Sequence, residues 1–257
     1  QCLQSTIECL EMVAHEYPEE YNRIRRSTEF RHAEETARWK EIIEKMYLPE
    51  DKERGIFVQD DGYPDKVLGT VDDIPVNERP INSCYIKQSD VLLGLFLYYE
   101  HFDRETIRRN FRFYEPRTVH ESSLSPFVHA ILAAWIGDTE EAYRLFLHST
   151  RLDLDGYNNE VHQGLHVTSM AGSWQIIVRG FAGMKILDGQ LDFTPIIPEA
   201  WDSYTFKVNF RNCTLQMKVG KQEIKISLLE GYELNIRISE VVYNLKKGKD
   251  LIVPKQN

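Results

Sequence analysis

The spacing of hydrophobic positions changes once along this chain, near residue 188. Before that point, apolar residues recur every three or four positions, which is the period of an amphipathic helix. One such stripe covers residues 3–17 and a second covers residues 33–46, with Pro18 between them as a helix stop. These stripes predict helices that bury one face.

Two later segments, 90–99 and 126–136, are apolar on nearly every side, which predicts helices that are buried over most of their surface. Gly137 is placed to end the second of them, and Asp138 is placed to begin the helix that follows. The segment 169–184 is typical of a further helix, and its glycines and alanines predict a close contact with a neighbour.

After Gly189 the apolar residues alternate with polar ones, which is the period of a half-buried strand. Helices followed by strands predict two domains. Residues 1–188 form an all-α domain in this interpretation, and residues 189–257 form a small antiparallel β domain. The breaks between the alternating runs lie at 211–212, 220–221 and 230–231.

The composition restricts the possible functions of the chain more than it restricts the possible folds. The chain has 257 residues and a formal net charge of -9, and no basic stripe offsets that charge, which argues against a nucleic-acid partner. The apolar run 91–99 is far too short to span a membrane. Four cysteines without a CxxC pair fit reduced thiols and a cytoplasmic location. The histidines show no metal-ligand spacing, so we expect no metal, and His129 inside its apolar helix is typical of a satisfied core histidine.

The strongest candidate site is the start of the helix near residue 166. His166, Thr168 and Ser169 put an imidazole and two hydroxyls where backbone N–H groups and the positive end of the helix dipole favour an anion. Gly164 and Gly172 allow a ligand or a backbone to approach closely. The alternative is an ordinary helix cap with a glycine-mediated helix contact.

Two other segments carry more polar groups than a helix cap needs. His120 is followed by Glu121 and two serines, so a carboxylate stands beside two hydroxyls. Lys87 and Gln88 offer a cation and an amide before the buried helix at 90–99, and sugar hydroxyls bind such donors and acceptors. The alternative for both segments is a polar helix start with no ligand.

These motifs, in this order, resemble the glycoside phosphorylases of family 65, which include maltose, kojibiose, nigerose and trehalose phosphorylases. The resemblance runs over nearly the whole chain, and residues 115–121 are most similar to the maltose phosphorylase branch. The matching segments are 85–91, 110–116, 118–126, 151–155, 164–174 and 180–184.

The resemblance implies the C-terminal portion of an (α/α)6 barrel, about half of it, followed by a small β domain. It implies inverting phosphorolysis of an α-linked glucose disaccharide, maltose first, to β-glucose 1-phosphate and glucose. Inorganic phosphate is the nucleophile and co-substrate, so no further cofactor is expected and the second carboxylate of an inverting hydrolase is dispensable. Carried onto this chain, the resemblance assigns sugar hydroxyls to Lys87, Gln88 and Glu121, and phosphate to Ser123, His166, Thr168 and Ser169.

The chain departs from the family pattern at two points. The family's general acid is a glutamate just before a helix like residues 1–17, so we expect the acid upstream of this chain and no catalytic residue within it. An insertion of the family is missing at Asn82-Ser83-Cys84, where one serine joins the flanking segments. Half a barrel would also expose an apolar seam, which predicts that the chain works with the rest of the same polypeptide or with a complementing chain. The family further implies a homodimer.

Two alternatives are left open, one within the enzymes and one from a different class. A hydrolase on the same barrel would need a carboxylate base that faces a water, with Glu121 and Asp153 as the candidates. A non-catalytic carbohydrate-binding or scaffold module would need no general acid at all.

Overall fold

The computed structural model describes residues 1–66, 69–73, 83–157, 159 and 161–255. The chain divides into two units, residues 1–49 and residues 50–257. The predicted boundary after residue 188 therefore stays a prediction. The join at Asn82-Ser83-Cys84 lies partly outside the described residues, so the expected loss of an insertion there is not tested.

The first unit consists of three helices. They are α1 (Cys2–Glu16), α2 (Pro18–Ser27) and α3 (His32–Glu44). Pro18 separates the first two as expected and also occupies the first turn of α2, where a missing N–H costs nothing. Phe30 and Trp39 stack with their ring centroids 5.7 Å apart, and this contact holds α3 to the segment that precedes it.

Five helices of the second unit surround one apolar core. They are α4 (Asp90–Leu97), α5 (Arg104–Tyr114), α6 (Ser125–Ile136), α7 (Thr139–Asp155) and α8 (Val167–Gln175). Helix α6 contacts the four others, which explains why its sequence is apolar on nearly every side. It ends at Gly137 with φ of 89°, and the Asp138 side chain accepts a hydrogen bond from the Glu141 N–H at 3.2 Å. Both predicted boundaries are confirmed.

The close helix contact predicted from small residues is also present. A Cβ atom built on Gly172 would lie 2.7 Å from the Phe127 ring, so only glycine fits against α6 at this position. The chain then passes directly into a π-helical segment, Ile176–Phe181, which the sequence did not predict. The helical run is therefore shorter than the expected 169–184.

Helix α4 is less buried than its sequence predicts. Leu92, Leu95 and Phe96 face the core, whereas Leu93 and Leu97 are exposed. Apolar side chains are exposed on and around α8 as well. The exposed apolar residues at and near its start and along its face are Leu165, Val167, Met170 and Trp174. Exposed apolar helix faces are what half of a helical barrel would show.

Two four-stranded sheets follow the helices. Their orders are β10-β7-β6-β5 and β3-β4-β8-β9. The strands are β3 (Lys185–Leu187), β4 (Gln190–Phe193), β5 (Ser203–Phe210), β6 (Cys213–Gly220), β7 (Glu223–Glu230), β8 (Glu233–Ile238), β9 (Val241–Lys246) and β10 (Asp250–Pro254). A further short pair, β1 (Glu50–Asp51) with β2 (Ile56–Phe57), precedes the helices of this unit.

The predicted alternation and turns are confirmed in β5 and β6. Tyr204, Phe206 and Val208 are buried on one face, while the residues between them are exposed. Arg211 and Asn212 both have positive φ, as a two-residue hairpin turn requires. The sheets are not purely antiparallel, because β4 and β8 pair in parallel. Local alternation carries no signal for that long-range pairing.

The helices and the sheets of the second unit share one core. The Trp201 ring lies 5.2 Å from the Phe181 ring and 5.3 Å from the Phe146 ring, measured between centroids. These contacts join α7, the π-helical segment and the loop before β5, which carries Trp201. Among the described residues, we find no helix long and apolar enough to cross a membrane.

Candidate functional site

A short parallel pairing places Lys87 and Gln88 beside the segment that contains Glu121. The Ile86 N–H donates to the Arg117 carbonyl at 2.9 Å, and the Val119 N–H donates to the Ile86 carbonyl at 2.9 Å. Residues 87–88 therefore leave this pairing next to residues 119–120. The side chains of Lys87, Gln88 and Glu121 are exposed. The structure thus places the two segments that carry these three residues, which the family resemblance assigns to sugar hydroxyls, side by side.

A hydroxyl pair connects the same segment to the start of α8. The Ser123 Oγ atom lies 3.1 Å from the Thr168 Oγ1 atom, although 45 residues separate them in sequence. Two of the residues predicted at the phosphate end are therefore neighbours. We call the surface formed by the exposed Lys87, Gln88, Glu121 and Thr168 and the half-buried Ser123 and His166 the polar strip.

His166 is held by a single carboxylate on α7. Its Nδ1–H donates to Asp153 Oδ1 at 2.5 Å, and its backbone N–H donates to Asp153 Oδ2 at 2.9 Å. These hydrogen bonds, with the ring contact first, lower the pKa of Asp153, which is therefore ionised at neutral pH. From the sequence, Asp153 was a candidate only for the base of a hydrolase.

Ser169 lies apart from the polar strip. Its side chain is buried, and its hydroxyl donates to the Ser149 carbonyl on α7 at 2.8 Å. The Ser149 and Ser173 hydroxyls are grouped around it. The geometry gives this hydroxyl a role in the α7–α8 contact, and its predicted contact with phosphate stays a prediction.

A largely buried network of polar and charged groups, with the exposed Arg144 at its edge, lies next to the polar strip. Glu115 accepts a short hydrogen bond from His129 Nδ1 and a second from Arg144 Nη2 at 2.9 Å. His120 Nε2 lies 3.5 Å from the same carboxylate, and His120 Nδ1 lies 2.9 Å from Ser125 Oγ. We call these five residues the Glu115 network. His129 is thus a buried core histidine, as the sequence predicts, but it is only half satisfied, because its Nε2 atom has no hydrogen-bond partner among the described residues.

The charges of this network are set by burial and by mutual attraction. Burial alone would raise the pKa of Glu115, but the contacts to His129 and His120 lower that pKa well below its usual range. Burial is also the main reason why the pKa of His129 is lowered. Glu115 is therefore an ionised carboxylate whose charge is compensated from several sides.

His120 has the unusual backbone conformation that separates the network from the strip. Its φ is 50°, in the left-handed region that non-glycine residues seldom occupy. The His120 side chain is buried, while Glu121, the next residue, is exposed. Strained backbone of this kind persists only where the surrounding contacts hold it, and the network supplies those contacts.

The Glu115 network could be mistaken for two kinds of catalytic site. Ser125, His120 and Glu115 have the connectivity of a nucleophile triad, but Ser125 is fully buried, so no substrate can reach its hydroxyl. Ligand atoms of Glu115, His120 and His129 also lie within 4.8 Å of one another, a grouping that could hold a metal ion. Arg144 already supplies positive charge to the same carboxylate, which opposes a cation there. Sequence spacing gave no signal for this grouping.

Two family models match the chain in succession. The model described as the glycosyl hydrolase family 65 central catalytic domain matches residues 3–175, and the family 65 C-terminal domain matches residues 184–245. Helices that form part of a barrel, followed by a β region rich in antiparallel pairs, define the class of fold. The chain belongs to glycosyl hydrolase family 65.

Similar proteins have phosphorylase names. The chain is 46% identical to the maltose phosphorylase of Bacillus subtilis (strain 168), over 79% of this chain and 28% of that protein. It is 37% identical to the alpha,alpha-trehalose phosphorylase of Thermoanaerobacter brockii, over 91% of this chain and 31% of that protein. The kojibiose phosphorylase of the same organism is 35% identical, over 98% of this chain and 33% of that protein.

A solved structure has the same fold. It is a putative kojibiose phosphorylase from human microbiome, with a TM-score of 0.79 and 38% sequence identity over 86% of this chain and 31% of that chain. The chain thus spans about a third of the length of the relatives it matches. The expected helical half-barrel with a following β region is confirmed.

Proposed function

We propose that this chain is the C-terminal part of an inverting α-glucoside phosphorylase. The reaction transfers glucose from an α-linked disaccharide to inorganic phosphate and yields β-glucose 1-phosphate and glucose. The observation that carries the proposal is the polar strip, in which three segments spread over 80 residues meet through the Ile86–Val119 pairing and the Ser123–Thr168 contact.

The strip divides into two ends with different chemistry. Lys87, Gln88 and Glu121 offer a cation, an amide and a carboxylate, and such groups bind sugar hydroxyls in pairs. Ser123, Thr168 and His166 offer hydroxyl and imidazole donors near the start of α8, where the helix dipole favours an anion. We assign the first end to the sugar and the second to phosphate.

The carboxylates of the chain favour a phosphorylase over a hydrolase. A hydrolase base must be able to take a proton from water, whereas Asp153 accepts two hydrogen bonds from His166 and its pKa is lowered. A general acid needs a raised pKa. Among the described carboxyl groups with a clearly shifted pKa, the shift is downward, as for Glu115 and Asp153. None of these groups therefore has the raised pKa of a general acid.

Maltose is the disaccharide we propose first. The support is the 46% identity to the maltose phosphorylase of Bacillus subtilis, against 37% and 35% to the trehalose and kojibiose phosphorylases. Phosphate serves as co-substrate, so the reaction needs no other cofactor. The four free cysteines support a reducing, cytoplasmic location. A homodimer is part of the same proposal.

The test measures phosphorolysis of maltose, kojibiose, nigerose and trehalose at varied phosphate concentration. It uses the native polypeptide that contains this chain, and residues 1–257 by themselves. We expect phosphate-dependent release of glucose 1-phosphate from maltose by the native polypeptide and no turnover by residues 1–257.

Each of the other outcomes would contradict part of the proposal. Release of glucose without phosphate would indicate a hydrolase, and sugar binding without turnover would indicate a binding module. Turnover by residues 1–257 alone would contradict an upstream acid.

A further inference from the structure

Asp153 makes a two-point contact with one residue of the polar strip. One carboxylate oxygen accepts from the His166 ring and the other accepts from the His166 backbone N–H, at 2.5 and 2.9 Å. A contact at one point would leave the ring free to turn about its side-chain torsions. A contact at both points fixes the ring and the backbone together.

The position of Asp153 in the fold makes this contact rigid. Asp153 lies on α7. One turn earlier on the same helix, the Ser149 carbonyl accepts a hydrogen bond from the Ser169 hydroxyl on α8. The two helices are therefore held to each other close to the contact between Asp153 and His166. His166 is the residue immediately before α8, and no side-chain hydrogen bond caps this helix in the usual way. The carboxylate that holds its N–H comes from a neighbouring helix instead.

We infer that Asp153 is a positioning residue for the phosphate end of the strip. It fixes the His166 imidazole two residues before Thr168, whose hydroxyl contacts that of Ser123, so that the donors of two segments are in place before an anion arrives. Pre-organised donors bind more tightly because the cost of ordering them is met during folding. This inference rests on the proposed function, because it takes inorganic phosphate as the anion.

The test measures, for variants of the native polypeptide, the KM for phosphate and the KM for the disaccharide. Asp153→Ala removes both acceptor oxygens, and Asp153→Asn keeps one oxygen for the ring while it loses the charge. Because a charge-assisted hydrogen bond is lost, we expect the KM for phosphate to rise about tenfold or more in Asp153→Ala. We expect a smaller rise in Asp153→Asn, which is the partial rescue that a positioning role requires. The KM for the disaccharide should stay within about twofold.

Asp155 provides a matched control on the same helix. It accepts from Arg151 and from the Tyr157 hydroxyl at 2.7 Å and makes no contact with the strip residues. Asp155→Asn should leave both KM values unchanged. Binding of inorganic phosphate by calorimetry gives a readout that does not depend on turnover, and it should weaken in the Asp153 variants and not in the control.

The outcomes separate this inference from the function on which it rests. If His166→Ala raises the KM for phosphate but Asp153→Ala does not, the positioning role is wrong and the phosphorylase proposal survives. If Asp153→Ala raises both KM values alike and lowers the unfolding midpoint, Asp153 is only structural. If turnover by the unchanged polypeptide does not depend on phosphate, both proposals are wrong.

Discussion

The polar strip and the Glu115 network are neighbours in the chain but differ in burial and in the partners of their polar groups. Glu121 and Ser123 belong to the polar strip, whereas His120 and Ser125, which alternate with them, belong to the Glu115 network. The strip groups are exposed or half-buried polar side chains, whereas the network groups contact one another and, apart from the exposed Arg144, are largely buried. Neighbouring residues in one polar run can therefore have different roles, so that some side chains stabilise the fold while others are available to bind a ligand.

The largest expected difference concerns Glu115. Glu115→Gln removes the charged acceptor of the hydrogen bonds from the buried His129 and from Arg144, and loss of a hydrogen bond to a charged group typically costs about 2 kcal/mol of unfolding free energy. Urea unfolding at pH 7 measures the loss. The exposed Glu140→Gln on α7 is the control and should cost less than about 0.5 kcal/mol. Equal effects of the two variants would show that the network does not stabilise the fold.

A second prediction concerns pH and His148, which lies beside the network. Burial, followed by repulsion from His120 and Arg144, lowers the pKa of His148 to about 4. An unfolded histidine titrates near pH 6.5, so between pH 6.5 and 4 the unfolded chain binds a proton that the folded chain does not. The free energy of unfolding therefore falls as pH is lowered through this window.

Replacement of His148 removes its share of that pH dependence. We expect His148→Gln to flatten the fall in unfolding free energy between pH 6.5 and 4.5 by about 1 kcal/mol, because solvent around the partly exposed ring screens part of the effect. The fall linked to Glu115, whose pKa is also lowered, lies at lower pH and should persist. The exposed His101→Gln is the control. An unchanged slope in His148→Gln would mean that His148 titrates alike in the folded and unfolded chains.

The parts of the fold that sequence predicted correctly are those set by local chemistry. Gly137 and Asp138 end one helix and begin the next through contacts within a few residues, and Arg211-Asn212 form the turn that their positive φ values allow. The parallel β4–β8 pair depends on residues more than 40 positions apart. The π-helical segment after Gln175 has the composition of an ordinary helix, so nothing local distinguishes it.

The candidate site divides in the same way. An excess of hydroxyls and charges marked the three strip segments, because polar groups in a short run are visible in sequence. The orientation of each side chain was not visible. Packing against Ser149 turned the Ser169 hydroxyl inward, and positive φ at His120 put that ring in the core. Glu115 was missed as a partner because its contacts with His120 and His129 follow no metal or catalytic spacing.

The smallest expected effect on stability is at Lys87, and it tests the division of the strip into two ends. Lys87 is exposed and makes no ion pair within the part of the chain that the structure describes, so Lys87→Ala should change the unfolding free energy by less than about 0.5 kcal/mol. Lys52→Ala, in the exposed turn between β1 and β2, is the control for loss of a lysine charge.

In the native polypeptide, Lys87→Ala should raise the KM for the disaccharide about tenfold, because a charged donor to a sugar hydroxyl is lost. The KM for phosphate should hardly change, which is the opposite of the pattern expected for Asp153→Ala. The two variants together form a crossed test, since each should affect one substrate only. If Lys87→Ala raised the KM for phosphate as much as the KM for the disaccharide, the strip would act as one undivided surface. The assignment of its ends to sugar and phosphate would then be wrong.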